Sequence, residues 1–397
     1  METESSYGAG PGTANGSAML LVPVDGRVSL KNQKQVLETE WQIGKNARSR
    51  HVMGRDGCEL TLSHCLRGLV SDAGDGETPS TTDDTFGIFL SSAFGAGTSE
   101  TGEGDAASGH TSTQIRIDAT PTTLGVMDLV AYQTGSSKMQ WRRITAQGNG
   151  AGTNDQLTVH RAWNSNPAGS GVAYGYRWWQ PEDGQTAKSL AFAVCLDSAF
   201  YELEGCRPTS FSIEAVAGQK VMCNWVFQGS TYTENTSTLS SLDGDHSDSE
   251  YLTGGASPII ANNCTFAFNG TEYGTKSMKL EFGLKTVVID DVNGSNGLSN
   301  IMVVATDPVI TVEPLYALAW DTAFRAGTAG DLTLMFGSGV SSGGVVNACC
   351  FDAAEAQVQS VETQDDNNRM RQSIQFRINH AGSISSVSHR NWTFARA

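Results

Sequence analysis

The chain has 397 residues, 44 of them glycine, and only 17% of its side chains are charged, with 26 basic against 42 acidic groups and a net charge of −16. That profile suits a turn-rich β-protein of two or three domains rather than a helical bundle. It excludes a protein that wraps nucleic acid, because affinity for phosphates comes from lysine and arginine.

Residues 1–20 read as a flexible arm rich in Gly, Ser and Thr. The arm lacks the basic start and apolar run of a secretory signal, and no run in the chain reaches the ~20 apolar residues that span a bilayer. Eight scattered cysteines on apolar faces suggest reduced thiols and synthesis in a cytoplasm. In residues 54–70, GRDGCELTLSHCLRGLV, Cys58, Leu62, Cys65 and Leu69 share one helical face, which predicts a first helix. Residues 71–110 read as a long polar loop, functional or ordered by contact with a neighbour.

Residues 111–180 read as a separate short-strand module, a small β-barrel inserted in the chain, with strands around DLVAY, QWRRITAQ, QLTVH and AYGYRWW. The strand pattern resumes at 188. In EGCRPTSFSIEAVAGQKVMCNWVFQG, Phe211, Ile213 and Ala215 alternate with polar residues, and after a glycine turn Val221, Cys223, Trp225 and Phe227 do the same. This period of two predicts a half-buried antiparallel hairpin. Residues 235–249 read as a polar linker. Beyond it, Asn269-Gly270 marks a hairpin turn. SMKLEFGLKTVVIDD alternates Met278, Leu280, Phe282 and Leu284 with polar positions. GVVNACCFDAAEAQVQSVETQDDNNRMRQSIQFRINH then repeats the layout of the earlier hairpin, which implies an internal duplication of one β-domain. The expected division is an arm over 1–20, a first β-domain over 21–110 and 181–234, the inserted barrel over 111–180, and a second β-domain over 250–397.

Groups that do chemistry are sparse. Cys58, His64 and Cys65 lack the spacing of a zinc site, and the oxygen-rich stretch 290–297 lacks the closing glutamate of a calcium loop, so packing and a tight turn are the better readings. Adjacent Cys349 and Cys350 should point to opposite faces of a strand. Trp178-Trp179 read as barrel core plus interface, and the acidic cluster Asp243, Asp245, Asp248 and Glu250 as a solvated linker. No nucleophile elbow, HExxH or phosphate loop occurs, so no enzyme activity, catalytic residue, metal site or cofactor is expected.

The run IIANNCTFAFNGTEYGTKSMKLEFGLKTVVIDDVNGSNGLSNIMVVATDPVITVEPLYA resembles the tail tube proteins of long-tailed bacteriophages. The hairpins near 204–229 and 345–380 are similar to closing hairpins of the same family. The resemblance implies a β-sandwich with a flanking helix, which the hairpin pattern makes duplicated here, assembled as rings that stack into a hollow tube conducting DNA during ejection; length, insertion and duplication set the chain apart from the smallest members. It implies self-association as a trimeric, pseudo-hexameric ring or as a hexamer. It also implies tape measure, tail terminator and tip proteins as partners, DNA passing without specific binding, no membrane, and a place in the virion tail. Arm 1–20 and loop 71–110 become candidates for ring-to-ring contact. Glu214, Gln219, Gln357, Gln359 and Gln375, on polar hairpin faces, become candidates for the lumen or a subunit interface. The alternatives are a capsid or tail decoration protein, and a carbohydrate-binding β-protein.

Overall fold

The computed structural model describes residues 2–3, 22, 24–26, 28–33, 35–37, 52–53, 56–68, 85–97, 110–117, 125–132, 139–148, 156–164, 172–173, 176–179, 187–196, 199–235, 258–293, 297–314, 319–337, 347–366, 369–379 and 391–396. Arm 1–20 apart from Glu2 and Thr3, the linker after Asn235 and the acidic cluster at 243–250 lie outside these residues.

In chain order the elements begin β1 (Glu2–Thr3), β2 (Ser29–Asn32), β3 (Val36–Leu37), β4 (Val52–Met53), β5 (Cys58–Cys65) and α1 (Thr85–Phe94). Then come β6 (Gln114–Arg116), β7 (Leu129–Tyr132), β8 (Gln140–Gly148), β9 (Gln156–Val159), β10 (Val172–Ala173) and β11 (Tyr176–Trp179). They are followed by β12 (Leu190–Leu196), β13 (Ala199–Val216), β14 (Met222–Gly229) and β15 (Thr231–Asn235). The last part holds β16 (Thr265–Phe268), β17 (Thr271–Tyr273), β18 (Thr275–Glu281), β19 (Leu284–Asp290), β20 (Leu298–Thr306) and β21 (Val309–Pro314). It closes with α2 (Ala319–Ala326), β22 (Ala329–Phe336), β23 (Cys349–Asp366), β24 (Arg369–Ile378) and β25 (Trp392–Arg396). The fold is mainly β, with two helices among the described residues.

One run of hydrogen-bonded strands, β2-β5-β14-β13-β18-β21-β24-β23, forms the backbone of the largest sheet. Its two halves have the same wiring. Strands β2, β5, β14 and β13 lie side by side in the order taken up again by β18, β21, β24 and β23. A small hairpin separates β2 from β5 (β3 with β4), and another separates β18 from β21 (β19 with β20). A helix follows β5 as α2 follows β21. Strands β12 and β15 flank the start of β13 as β22 and β25 flank the start of β23. Both long strands have 18 residues. Each carries a bulge at the same position, between Pro208 and Ser210 in β13 and between Val358 and Ser360 in β23. A second irregularity also recurs, where β12 meets Leu203–Cys206 and where β22 meets Ala353–Ala356. Bulges bend a strand and are specific features of a fold, so their recurrence marks the two halves as repeats.

Each repeat folds around its long strand, which leaves one group of partners and joins another at the bulge. Inward side chains from both groups share one core. In the first repeat Phe211 stacks on Trp225 at 3.8 Å between ring centroids and on Phe282 at 4.6 Å. Helix α1 lays Phe89 against Trp225, Phe227 and Phe192 at 5.4, 5.1 and 6.0 Å. In the second repeat Trp320 of α2 sits 5.7 Å from Phe376, the residue that register places where Phe227 stands in the first.

Residues 58–65 are a strand, not the predicted helix. The segment carries two periodicities at once. Cys58, Leu60, Leu62 and His64 also alternate, and pairing with β14 and β2 on both sides selects the extended form. The flanking helix lies instead inside the stretch read as a polar loop. There Phe86, Phe89, Leu90, Ala93 and Phe94 are buried, and Gly95 ends the helix at φ 90° with its N–H donated to Ser91 O at 2.9 Å. The run SMKLEFGLKTVVIDD is two strands. Gly283 turns the chain at φ 56°, where an added Cβ would lie 2.3 Å from Asp307 O.

The inserted module contains a five-stranded sheet, β10-β7-β8-β9-β6, around Ile115, Val130, Tyr132, Ile144, Leu157 and Trp163. Its expected last strand departs from it. β11, which carries Trp178 and Trp179, pairs with β25 of the second repeat.

Candidate assembly surface

Alternation decides what the long sheet shows to the outside. On β13, Phe211, Ile213 and Ala215 are buried while Ser212 and Glu214 point away. Because neighbouring strands are in register, outward residues form rows. One row runs Ser63, Asn224, Ser212, Glu281, Val309, Arg377, Gln357 across seven strands. The next runs Met222, Glu214, Lys279, Thr311, Gln375, Ser360. This face is polar and lightly charged, and acidic and basic groups are interspersed. Lys279 Nζ lies 2.5 Å from Glu281 Oε1, Arg377 is 3.5 Å from Asp307, and Ser63 Oγ donates to Asn224 Oδ1 at 2.7 Å. The chain's net acidity is therefore not concentrated on this face.

Glu214, Gln357 and Gln375 share the outward face of the long sheet, Glu214 exposed and the two glutamines half-buried. Gln357 is also tied down, donating to Gly327 O at 3.0 Å and accepting from Asn379 Nδ2 at 3.2 Å. Gln359 is the extra, exposed residue of the β23 bulge. Gln219 lies apart, in the turn between β13 and β14, where its carbonyl accepts the N–H of Ala261 at 2.9 Å.

Two features of this surface escaped the sequence reading. The first is the pair of open edges. β23 pairs with β22 only from Cys349 to Gln357, so among the described strands nothing covers that side of Val358–Asp366. Among the described strands β2 pairs with β5 alone, on one side. The second is the β19–β20 ribbon, which exposes Val287, Ile289, Val304 and, at full exposure, Val292. The unbroken apolar run Val287-Val288-Ile289 was its signal, since a ribbon with one solvated face would ordinarily alternate.

Three of the described cysteines have thiols held in the protonated form. Cys65 Sγ sits 2.6 Å from Asp25 Oδ2, and burial together with that bond pushes its thiol up to about 11. The same bond and Lys220 Nζ at 2.8 Å hold Asp25 below the usual carboxylate value. Burial raises Cys223 and Cys350 well above an ordinary thiol, and a thiol that stays protonated is inert. As expected, Cys349 and Cys350 point to opposite faces, one into the main core and the other toward Trp141 and Met139 of the module. Asp291 Oδ1 accepts the N–H of Asn293 at 2.8 Å, as in a turn, while residues 294–296 of that stretch lie outside the described set. Among the described residues no three His, Cys, Asp or Glu side chains converge as metal ligands, and no helix is long and apolar enough to cross a membrane.

The module is fastened to the second repeat although the chain enters it from the first. Arg143 NH1 lies 2.6 Å from Asp352 Oδ2, and Thr333 Oγ1 donates to Asp352 Oδ1 at 2.8 Å. Leu129, Ala131, Met139 and Trp141 pack there on Met335, Ala348, Cys350 and Ala395. No protein-family model matches the chain, and no curated protein matches it in sequence.

Proposed function

We propose that this protein is a structural tube subunit, a tail tube protein of a long-tailed bacteriophage that assembles as stacked rings into a hollow tube for DNA. The observation that carries the reading is the long sheet itself. Two repeats stand side by side in one sheet with the same strand order, a polar outward face and, among the described strands, an open edge at each end. A soluble protein that ended there would leave two strand edges as templates for random pairing. Closing the sheet on further copies removes both edges.

Size favours three copies. Eight strands from each chain give ~24, which at ~4.8 Å spacing and ~40° tilt make a barrel ~50 Å across between backbones, with a bore of ~40 Å inside the side chains. Six copies would double that. The outward face then becomes the wall. Its short polar side chains and interspersed charges offer passing phosphates no basic stripe to hold them. Glu214, Gln357 and Gln375 would face the bore. The exposed apolar ribbon β19–β20 joins arm 1–20 as a candidate contact between rings. Tape measure, terminator and tip proteins would be its partners in the virion tail.

Negative-stain electron microscopy of the concentrated protein tests this reading. Rings or tubes with a central hole and threefold symmetry are the expected result. Particles that stay monodisperse and ringless at high concentration, with the other tail proteins present, would overturn it.

A further inference from the structure

The junction between the two repeats is a template for a junction between chains. Within the chain, the end of β13 pairs with β18: Ser212 opposite Glu281, Ile213 opposite Leu280, Glu214 opposite Lys279 and Ala215 opposite Met278. β23 is the repeat of β13, and among the described strands nothing covers its matching end. β2 is the repeat of β18, and among the described strands none takes the edge of β2 that corresponds to the one β18 gives to β13. The ladders set the equivalence residue by residue. Leu30 faces Leu60 as Leu280 faces Ile310, and Ser210 and Ser360 follow equivalent bulges.

We infer that the Glu362–Asp365 edge of one chain pairs antiparallel with Val28–Lys31 of a second copy, in the register of the internal β13–β18 junction. The inference rests on the assembly reading above and specifies its contact. Carrying the template across places Glu362 opposite Lys31, Thr363 opposite Leu30, Gln364 opposite Ser29 and Asp365 opposite Val28. The equivalence was set by backbone pairing alone, and it nevertheless puts an exposed acid opposite an exposed base at Glu362 and Lys31. Val28 and Leu30 already pack on the core of their own chain, so their side chains are positioned to continue it. Asp365 falls on the core-facing side of its strand, the kind of edge charge that discourages indiscriminate pairing. The contact joins unlike edges, so each copy keeps a free donor and a free acceptor edge until a ring closes.

The test is a pair of cysteines in the full-length chain, Ser29→Cys with Gln364→Cys, bridged by a short bifunctional thiol reagent. Both positions are exposed on the polar face, and both wild-type side chains are expendable for the core. Bridged products should climb to a covalent trimer and stop there. Ser29→Cys with Glu214→Cys, the equivalent position in the covered junction, should give at least tenfold less product. Lys31→Glu alone should weaken assembly several-fold, and adding Glu362→Lys should restore it. Rings that form with no bridge between positions 29 and 364, or with equal bridging from position 214, would overturn this register and leave the tube reading standing. Bridging confined to open chains without rings would support the edge pairing and overturn the tube. Neither assembly nor bridging at high concentration would overturn both.

Discussion

Replacing Arg143 by methionine should loosen the inserted module from the second repeat. Its guanidinium is 2.6 Å from Asp352, and the two side chains are 9% and 1% exposed. Without it, the Asp352 carboxylate keeps the Thr333 hydroxyl at 2.8 Å and the charge of nearby Arg142. Removing one partner of a buried pair costs about 3–5 kcal/mol, because the remaining charge is stranded in a low-dielectric site. The surviving Thr333 bond argues for the lower end. At ~2 °C per kcal/mol for a unit of this size, the melting transition that reports on the module should fall by ~6–8 °C. The double variant Arg143→Met with Asp352→Leu should recover most of the loss, since a packed apolar pair replaces a buried ionic one at little net cost. Scanning fluorimetry, with hydrogen exchange over β8 and β23, reads both effects. A single variant within ~1 kcal/mol of wild type, or a double variant worse than the single, would refute the argument.

Gly229→Ala should prevent proper packing of the first repeat, because its Cβ would lie 2.6 and 2.7 Å from the Cys58 and Cys206 sulfurs and 2.9 Å from Glu204 O; soluble yield and thermal melting report it. Asp331, paired with His160 at 3.6 Å, is held below the usual carboxylate value chiefly by that histidine. Its stabilising contribution is therefore present above the unfolded carboxylate range and lost as pH drops through the lowered value, and His160→Gln should flatten the acid limb of a pH–stability curve. Cys65, with its thiol near 11, should resist iodoacetamide at pH 8 in the folded protein, where ~0.1% is thiolate, and react after denaturation; peptide mass spectrometry distinguishes the two.

Hairpins were the most legible part of the sequence. In 211–227 and again in 354–378, the period of two is imposed by a core on one side and solvent on the other, and the strands have long, regular partners. The duplication was visible there in outline. Its fuller form, with matching bulges and matching strand order, was not, because pairing partners are set by tertiary contact rather than local pattern. Residues 58–65 went wrong for the same reason: Cys58, Leu62 and Cys65 satisfy a helical face, and only the neighbours β2 and β14 choose otherwise. Helix α1 did carry a local signal, Phe86, Phe89, Leu90, Ala93 and Phe94, but surrounding Gly, Ser, Thr and Asp masked it. The candidate surface was half legible. Glu214, Gln357 and Gln375 lie on one face as alternation implied, whereas an open edge is a property of what fails to pair, and no residue type announces it.

The inserted module breaks the equality of the repeats. It occurs once per chain, leaves the first repeat between α1 and β12, and rests on the β22–β23–β25 side of the second. A closed ring of three such chains would present two symmetries at once. A molecule travelling along the bore would meet six near-equal units, while one arriving from outside would find three identical landings. In such a ring the same seating would strap the halves of each chain together away from the wall, and a pull that opened the ring would part chain from chain at β23 and β2 before it parted repeat from repeat.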